Sequence, residues 1–259
     1  MKYRLLSALV ALHLSLTASM AQVGDHRSEL AVGINGGMVM NNVGFLPKVP
    51  QDMHRGKTFG LTVRYTSEKL FKSVCAIVGE VNYTQMGWQE SILTISDEPV
   101  VNSQTGLAEE YRRNLDYVQV PIFARLGWGR ERKGLQVYAQ AGPQIGFCIK
   151  EDTEANFDLH APNLQDRTSL VSSSVERASN MYFMPIEKKF DYGIAGGLGF
   201  EYSHPKIGHF LLEGRYYYGL GNIYGSTKRD YFSISNFSGL YVKLTYLRDI
   251  TRSKNDKIK

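Results

Sequence analysis

The stretch Phe210-Leu211-Leu212-Glu213-Gly214-Arg215-Tyr216-Tyr217-Tyr218 reads differently at its even and odd positions. The even positions carry no charge and are mostly bulky, whereas Glu213 and Arg215 stand at odd positions. Because successive side chains of a β-strand point to opposite faces, the two charges share one face and an apolar stripe occupies the other. The stretch therefore predicts a strand with one apolar and one polar face.

Seven further segments show the same alternation. The eight predicted strands cover residues 29–39, 57–67, a segment that starts near 73, 114–128, 134–148, 190–203, 208–220 and 237–247. The pattern is clearest in 134–148, where Leu135 and Val137 are expected to face outward and Gln136 and Tyr138 inward. Alternation repeated over eight segments indicates an all-β protein.

The connections between these strands alternate between short and long. About five to seven residues separate strands 2 and 3, 4 and 5, and 6 and 7, whereas the other gaps run from roughly 16 to 41 residues. Outer-membrane barrels have short periplasmic turns and long outer loops, while the loops of a soluble sandwich need not sort by end. We therefore predict an eight-stranded antiparallel up-and-down transmembrane β-barrel in the outer membrane of a Gram-negative bacterium. A hairpin hidden in 149–189 would give ten strands, which is the alternative.

The two ends of the chain predict processing and a tail. Lys2 and Arg4 precede an apolar run over 5–16, and Ser19-Met20-Ala21 offers small residues before Gln22, so residues 1–21 read as a signal peptide. The apolar run is too short for a membrane anchor, which needs about 20 residues. We expect the barrel to occupy 22–248 and a basic C-terminal tail to occupy 249–259.

Composition excludes some classes of protein. The mean hydropathy of −0.26 argues against a helical membrane protein but not against a barrel, in which only every second strand residue meets lipid. The formal charge of +5 is modest, and no interleaved basic and aromatic pattern suggests a nucleic-acid surface. Cys75 and Cys148 are predicted near opposite rims and therefore unpaired.

Aromatic side chains are expected to form two belts at the membrane interfaces. The short-turn belt would contain Tyr65, Trp128, Tyr202, Phe210 and Tyr246, and the long-loop belt Phe147, Phe190, Tyr192, Tyr216 and Tyr218. Trp88 breaks the alternation of the third strand, so we expect it to follow a bulge or to lie above the membrane.

The strongest polar signal is a set of charges on the inward faces. Its members are Arg64, Glu80, Arg125, Glu201, Glu213, Arg215 and Lys243. An eight-stranded barrel is only wide enough for side chains to fill its interior, and isolated buried charges are costly, so these groups must pair. The inward glycines Gly193, Gly197 and Gly199 are expected to leave space for the arginines. We predict an ion-pair plug, with a narrow ion path or gate as the alternative.

Two other functional classes compete with a plugged structural or interaction barrel. An outer-membrane lipid or peptide hydrolase could use His160, which stands near Asp158, Asp166 and Ser169, although no spacing supports it. A soluble periplasmic barrel that binds an apolar ligand would need an apolar interior, which the inward charges contradict. His204 and His209 are expected at a periplasmic turn, and no histidine falls in a metal-binding spacing. No catalytic residue, metal or cofactor is predicted.

Several motifs carry a resemblance to a known family. These are Asp116-Tyr117-Val118-Gln119-Val120-Pro121, Ala141-Gly142-Pro143-Gln144-Ile145-Gly146, the run 190–202 and Leu212-Glu213-Gly214-Arg215-Tyr216-Tyr217-Tyr218-Gly219-Leu220. Together they resemble the PorT family of outer-membrane β-barrel proteins. The resemblance covers nearly all of the chain after residue 21 and is strongest over predicted strands 4 to 8.

The resemblance implies an outer-membrane barrel inserted by the β-barrel assembly machinery, with no defined catalytic residues. The namesake of the family is linked to type IX secretion and gingipain maturation, so secretion-complex proteins become candidate partners beside outer-membrane lipid. Predicted strand 8 ends Leu244-Thr245-Tyr246-Leu247 rather than in a terminal Phe, which departs from the usual assembly signal. We expect a monomer with a structural or interaction role.

Overall fold

The computed structural model describes residues 25–70, 72–94, 96, 98–102, 105–130, 133–157, 184–227 and 232–251. Nine β-strands make up its regular structure. They are β1 (Asp25–Leu46), β2 (Gln51–Asp52), β3 (His54–Leu70), β4 (Ser73–Ser91), β5 (Glu110–Gly129), β6 (Gly134–Ala155), β7 (Phe190–His204), β8 (Gly208–Gly219) and β9 (Ile234–Thr251). The predicted signal peptide, 1–21, lies outside the described residues.

Eight of these strands close into a ring. Each long strand pairs antiparallel with its neighbours in the chain, β1 pairs with β9 to close the sheet, and the two-residue β2 adds only to β4. The eight-stranded up-and-down barrel is therefore confirmed. Because β6 pairs directly with β7, from Gly134↔Ser203 to Phe147↔Phe190, the ring has no place for the ninth and tenth strands of the alternative.

Side chains alternate between the two faces of the barrel wall as predicted. Apolar residues on the outer face are widely exposed, at 62% for Ile34, 60% for Leu61, 68% for Leu198 and 65% for Leu244. The inner face carries most of the buried charged and amide side chains. An apolar outside around a polar inside suits lipid as the surrounding medium, and it contradicts the soluble barrel with an apolar interior.

The strands extend beyond their predicted outer ends. β1 continues to Leu46, β4 and β5 form a hairpin that reaches Ser91 and Glu110, and β6 continues to Ala155. The hydrophobic alternation fades in these extensions because outward positions such as Arg112 and Asp152 are charged and exposed. The alternation of apolar and polar residues therefore predicted the strand segments that face lipid but not the strand extensions that are surrounded by water.

Three local features complete the comparison with the predicted strands. Trp88 follows no bulge, since the pairing of β4 with β5 is regular from Asn82↔Gln119 through Trp88↔Arg113 to Ser91↔Glu110. β9 continues to Thr251, three residues past the predicted end of the barrel, and 252–259 lie outside the described residues. Among the described residues, no helix has the length and apolar character needed to cross a membrane.

Candidate functional site: the charged lumen and its outer cap

The inward charges lie together inside the barrel. All seven predicted side chains are buried, with exposures of 7% for Arg64, 4% for Glu80, 3% for Arg125, 2% for Glu201, 5% for Glu213, 2% for Arg215 and 1% for Lys243. They come from six strands, β3, β4, β5, β7, β8 and β9. Their contacts divide them into two clusters along the barrel axis.

The central cluster consists of Glu80, Glu213, Arg215 and Lys243. The guanidinium of Arg215 holds Glu80 with two parallel hydrogen bonds, Nη2 to Oε1 at 2.9 Å and Nη1 to Oε2 at 3.0 Å. Arg215 Nε donates to Glu213 Oε1 at 2.6 Å, and Lys243 Nζ donates to Glu80 Oε2 at 2.6 Å. Bidentate guanidinium–carboxylate pairs are among the strongest charge-assisted hydrogen bonds, so this geometry fixes four side chains from three strands.

Neutral donors complete the coordination of the two carboxylates in the central cluster. Glu80 accepts from Asn82 Nδ2 at 2.8 Å, and Glu213 accepts from Tyr138 Oη at 3.1 Å and from Gln140 Nε2 at 3.0 Å. A buried carboxylate is tolerated only when its charge is paired and its lone pairs are satisfied. Both conditions hold here.

The periplasmic cluster consists of Arg64, Arg125, Glu201, His209 and Asp249. Arg64 Nη1 lies 2.8 Å from both oxygens of Glu201, Arg125 donates to Glu201 Oε2, and His209 Nδ1 lies 2.7 Å from Glu201 Oε1. His209 Nε2 lies 3.1 Å from both oxygens of Asp249. Glu201 is thus the centre of a network that joins β3, β5, β7, β8 and β9.

The charges balance within each cluster. The central cluster opposes two carboxylates, Glu80 and Glu213, with two cations, Arg215 and Lys243. The periplasmic cluster opposes Glu201 and Asp249 with Arg64 and Arg125, so it is neutral when His209 is neutral and carries one positive charge when His209 is protonated. Balanced charge leaves little net field to attract ions of either sign into the lumen.

Aromatic rings cover the two arginines. The guanidinium carbon of Arg125 lies 3.7 Å from the ring centroid of Tyr138, and that of Arg215 lies 4.4 Å from the ring centroid of Phe123. A cation over the face of a buried ring gains about 2 kcal/mol when both are desolvated. The rings also occupy the space that water would need around the guanidinium groups.

The inward glycines accommodate aromatic rings more than arginines. A Cβ on Gly199 would lie 2.4 Å from Tyr138 Cζ, and a Cβ on Gly193 would lie 2.8 Å from Tyr217 Cε2. Only Gly197 fits the expectation, since its Cβ would lie 3.2 Å from Arg215 Cβ. The expectation that arginines fill this space is therefore wrong for Gly193 and Gly199, because tyrosines of neighbouring strands lie against them.

A small space remains at the periplasmic end of the lumen. The cavity measures about 30 Å³ and is lined by Arg64, Arg125, Glu201 and His209 together with neutral residues of β3, β4 and β6 and Glu29 of β1. A site for one water needs roughly 10–15 Å³ by this measure, so the space is large enough for water and too small for a hydrated solute.

A second packed core, the outer cap, closes the opposite end of the barrel. It is formed by Phe45, Trp88, Tyr224 and Phe232, of which Phe45 is the most exposed at 7%. The ring centroid of Phe45 lies 5.5 Å from that of Trp88 and 4.6 Å from that of Phe232, and Trp88 lies 6.4 Å from Tyr224. Burial raises the pKa of Tyr224, which lies in the connection between β8 and β9.

Arg113 ties the connection between β6 and β7 to the outer cap. Its guanidinium carbon lies 5.7 Å from the Trp88 ring centroid, Nη2 donates to the Met184 carbonyl at 2.6 Å, and the same group pairs with Glu151. Trp88 Nε1 donates to Glu90 Oε1 at 2.9 Å. The polar tip of the indole is therefore satisfied inside the cap, which explains how Trp88 can be fully buried.

The inward set includes three residues that were not predicted. Ser203, His209 and Asp249 join the periplasmic cluster, although His209 was expected at a turn and Asp249 in the tail. Each lies an even number of positions from a predicted lumen residue of its own strand and therefore on the same face. Ser203 follows Glu201 in this way, His209 precedes Glu213, and Asp249 follows Lys243. Extending the alternation to the strand ends would have found them.

The described residues contain neither a cluster suited to a metal ion nor a disulfide. Within them, no group of three or more His, Cys, Asp and Glu side chains is placed to hold a metal ion. Cys75 and Cys148 are free, as predicted. His160, Asp158, Asp166 and Ser169, on which the hydrolase hypothesis was based, lie outside the described residues.

Comparisons with known proteins agree with this architecture. A family model for the outer membrane protein beta-barrel domain matches residues 20–225. No curated protein matches the chain. The chain is also similar to solved structures of the Yersinia pestis attachment invasion locus protein Ail bound to the heparin analogue sucrose octasulfate, and of OprG from Pseudomonas aeruginosa.

These structural likenesses are distant. The Ail chain is 12% identical, with 86% of this chain and 99% of Ail covered and a TM-score of 0.35, and OprG is 13% identical, with 86% and 98% covered and a TM-score of 0.37. At such values they carry no further argument. The narrower PorT resemblance is not established by the family match. The match does extend over most of the chain, and the chain belongs to the outer membrane protein beta-barrel domain family, whose place is the outer membrane of a Gram-negative bacterium.

Proposed function

We propose that this protein is a non-enzymatic, monomeric barrel with a closed lumen that binds a partner protein through its outer surface. The main support for this proposal is that three groups of packed side chains block the lumen, one after another along the barrel axis. The periplasmic cluster, the central cluster and the outer cap place buried side chains at three levels along the barrel. A barrel that passes solutes would need a continuous polar path through its lumen. Because the lumen of this barrel is packed, its function is assigned to the outer surface.

The hairpin between β4 and β5 supplies a surface for a partner. Beyond the two strands, bridges Leu93↔Pro99 and Val101↔Ala108 extend the hairpin outward, and Asn156 braces its base by donating to the Ala108 carbonyl at 2.7 Å. Near its end Val101 is 56% exposed and Leu107 is 64% exposed. Exposed apolar side chains on a braced support favour contact with another protein.

A secretion-complex protein is the narrower partner that we propose, on the strength of the PorT resemblance. Type IX secretion would then be the process served, and the β-barrel assembly machinery would insert the barrel. Both statements rest on the resemblance rather than on the geometry of the lumen. The secretion-complex partner would bind at the proposed outer surface and is tested together with it.

Two measurements on the native protein test the proposal. Purified barrel in a planar lipid bilayer is expected to show no steady ion conductance, and a steady current would contradict the closed lumen. A photo-crosslinking residue in place of Leu107 is expected to capture a partner protein in intact cells. The same residue in place of Ile207, at a periplasmic turn, is the control and should not capture that partner. Capture from both positions, or from neither, would reject the hairpin as the contact surface.

A hydrolase is the second candidate, and one contact favours it. Ser203 Oγ lies 2.8 Å from Nδ1 of His209, and Nε2 of His209 faces Asp249. The three residues contact one another in the order serine, histidine and acid that serine hydrolases show, although the two ring nitrogens have exchanged partners. However, Ser203 is 1% exposed, and its hydroxyl donates to Glu201 Oε1 at 3.2 Å inside the ion-pair network. These contacts support a structural role for the hydroxyl.

Ser203→Ala separates the two candidates. We expect purified native protein to hydrolyse outer-membrane phospholipid no faster than a boiled sample, and Ser203→Ala to be indistinguishable from it. Hydrolysis by the native protein that Ser203→Ala abolishes, with the variant still folded by its heat-modifiable migration on gels, would establish an enzyme and reject the proposal.

A further inference from the structure

The short turn between β7 and β8 forms one side of a groove at the periplasmic rim. The groove has a volume of about 330 Å³ and is lined by Pro205, Lys206, Ile207, Gly208, Arg248, Asp249 and Ile250. Its other side is the end of β9. Pockets of this size suit a small molecule or the polar head of a lipid.

The aromatic belt fixes the depth of this rim groove in the membrane. Tyr246 belongs to the periplasmic belt, packs against Phe210 with ring centroids 5.2 Å apart, and donates its hydroxyl to the Ile207 carbonyl at 2.6 Å. Aromatic belts lie at the level of the lipid headgroups. The groove starts directly on the periplasmic side of Tyr246, so it lies among the headgroups of the periplasmic leaflet.

Gly208 allows the turn to lie against this belt. Its φ is +125°, a conformation that side chains with a Cβ rarely adopt, and a Cβ there would lie 2.4 Å from the Leu247 carbonyl oxygen and 3.2 Å from the Tyr246 ring. The close approach holds Lys206 and Arg248 on the same groove. The shape of the groove is therefore determined by backbone geometry and not by flexible side chains alone.

The groove offers positive charge beside apolar surface. Lys206 and Arg248 are exposed, and neither side chain has an ion pair or hydrogen-bond partner in the described part of the chain. Asp249 is the acidic residue of the lining, but both of its oxygens lie 3.1 Å from His209 Nε2 and its side chain is 12% exposed. Ile207 and Ile250, 52% and 68% exposed, present apolar area at the same place.

We propose that the rim groove binds the phosphodiester headgroup of an anionic glycerophospholipid from the periplasmic leaflet. Lys206 and Arg248 would donate to the phosphate oxygens, and Ile207 and Ile250 would contact the glycerol and the first acyl carbons. Two cations beside two exposed isoleucines at headgroup depth complement such a lipid in both charge and polarity. The inference is independent of the partner proposed for the outer hairpin.

Native mass spectrometry of the purified full-length barrel in detergent tests the proposal. The probes are palmitoyl-oleoyl-phosphatidylglycerol, the zwitterionic palmitoyl-oleoyl-phosphatidylcholine and water-soluble glycerol 1-phosphate. Each basic residue near an anionic lipid surface contributes roughly fivefold in binding, so Lys206→Gln/Arg248→Gln should weaken retention of phosphatidylglycerol by roughly 25-fold. Arg130→Gln/Lys133→Gln, which removes the same charge at the turn between β5 and β6, should leave retention unchanged.

Each outcome decides the proposal. Preference for phosphatidylglycerol that only the groove variant loses supports it. Equal losses in the two double variants would show a general charge effect, and equal retention of both lipids by the native protein would show no headgroup site. Binding of glycerol 1-phosphate as tight as that of the lipid would assign the groove to free phosphate instead. Both variants change exposed side chains, and heat-modifiable migration on gels verifies that they fold.

Discussion

Glu80→Gln is expected to destabilise the barrel by about 3–5 kcal/mol. Glu80 binds Arg215 through two hydrogen bonds and Lys243 through one, and all three side chains are at most 4% exposed. The substitution keeps the shape of the side chain but leaves two buried cations with Glu213 as their remaining carboxylate. Urea unfolding of the protein refolded into lipid vesicles measures the loss.

A control and a rescue show whether charge balance is the cause. Glu154→Gln removes a carboxylate from an exposed position of β6 and is expected to change stability by no more than about 0.5 kcal/mol. Adding Lys243→Met to Glu80→Gln restores balance, since Arg215 keeps Glu213, and should recover part of the loss. An effect of Glu80→Gln as small as that of Glu154→Gln, or a double variant no more stable than the single one, would contradict an ion-paired plug.

The residues of the lumen could be predicted, but their pairing could not. The alternation of odd and even positions alone places Glu80 and Arg215 on the inner face. The same alternation assigns side chains to the inner or outer face in every strand that faces lipid. Which acid meets which base depends on the stagger of strands around the ring and on reach across the lumen. Glu80 meets Arg215, 135 residues away and on a strand that does not pair with its own, which no pattern in the sequence indicates.

The outer cap was harder to predict, for a physical reason. Its residues lie in long connections and in strand extensions, where water surrounds the wall and no lipid imposes apolar outward positions. One feature of the sequence did indicate the outer cap. Trp88 lies at an even position of β4, as do Glu80, Asn82 and Thr84, whose side chains all point inward. A large ring at an inward position, past the point where outward residues become polar, indicates a packed core outside the membrane.

Trp88→Ala is expected to loosen the outer cap and leave the barrel folded. Trp88 lies about 16 Å beyond Tyr83, the last lipid-facing aromatic residue of β4, and its loss removes contacts with Phe45 and Tyr224 and the Arg113 cation–π contact. Truncating a buried Trp typically costs about 3–5 kcal/mol. Protease added outside vesicles or cells should cut the connections around Met184 and Tyr224 faster than in the native protein, while heat-modifiable migration of the barrel persists.

The other tryptophan provides the matched control and the spectroscopic readout. Trp128 belongs to the predicted periplasmic belt and is 43% exposed, so Trp128→Ala should leave the resistance of the outer connections to protease unchanged. Since the chain has two tryptophans, Trp128→Phe leaves Trp88 as the sole indole. Its fluorescence should be poorly quenched by acrylamide, because Trp88 is fully buried. Strong quenching in a folded barrel, or native protease resistance in Trp88→Ala, would contradict a packed cap. The crosslinking residue at position 107 can also be placed in the Trp88→Ala variant. If it no longer captures the partner protein there, the outer cap supports the contact surface.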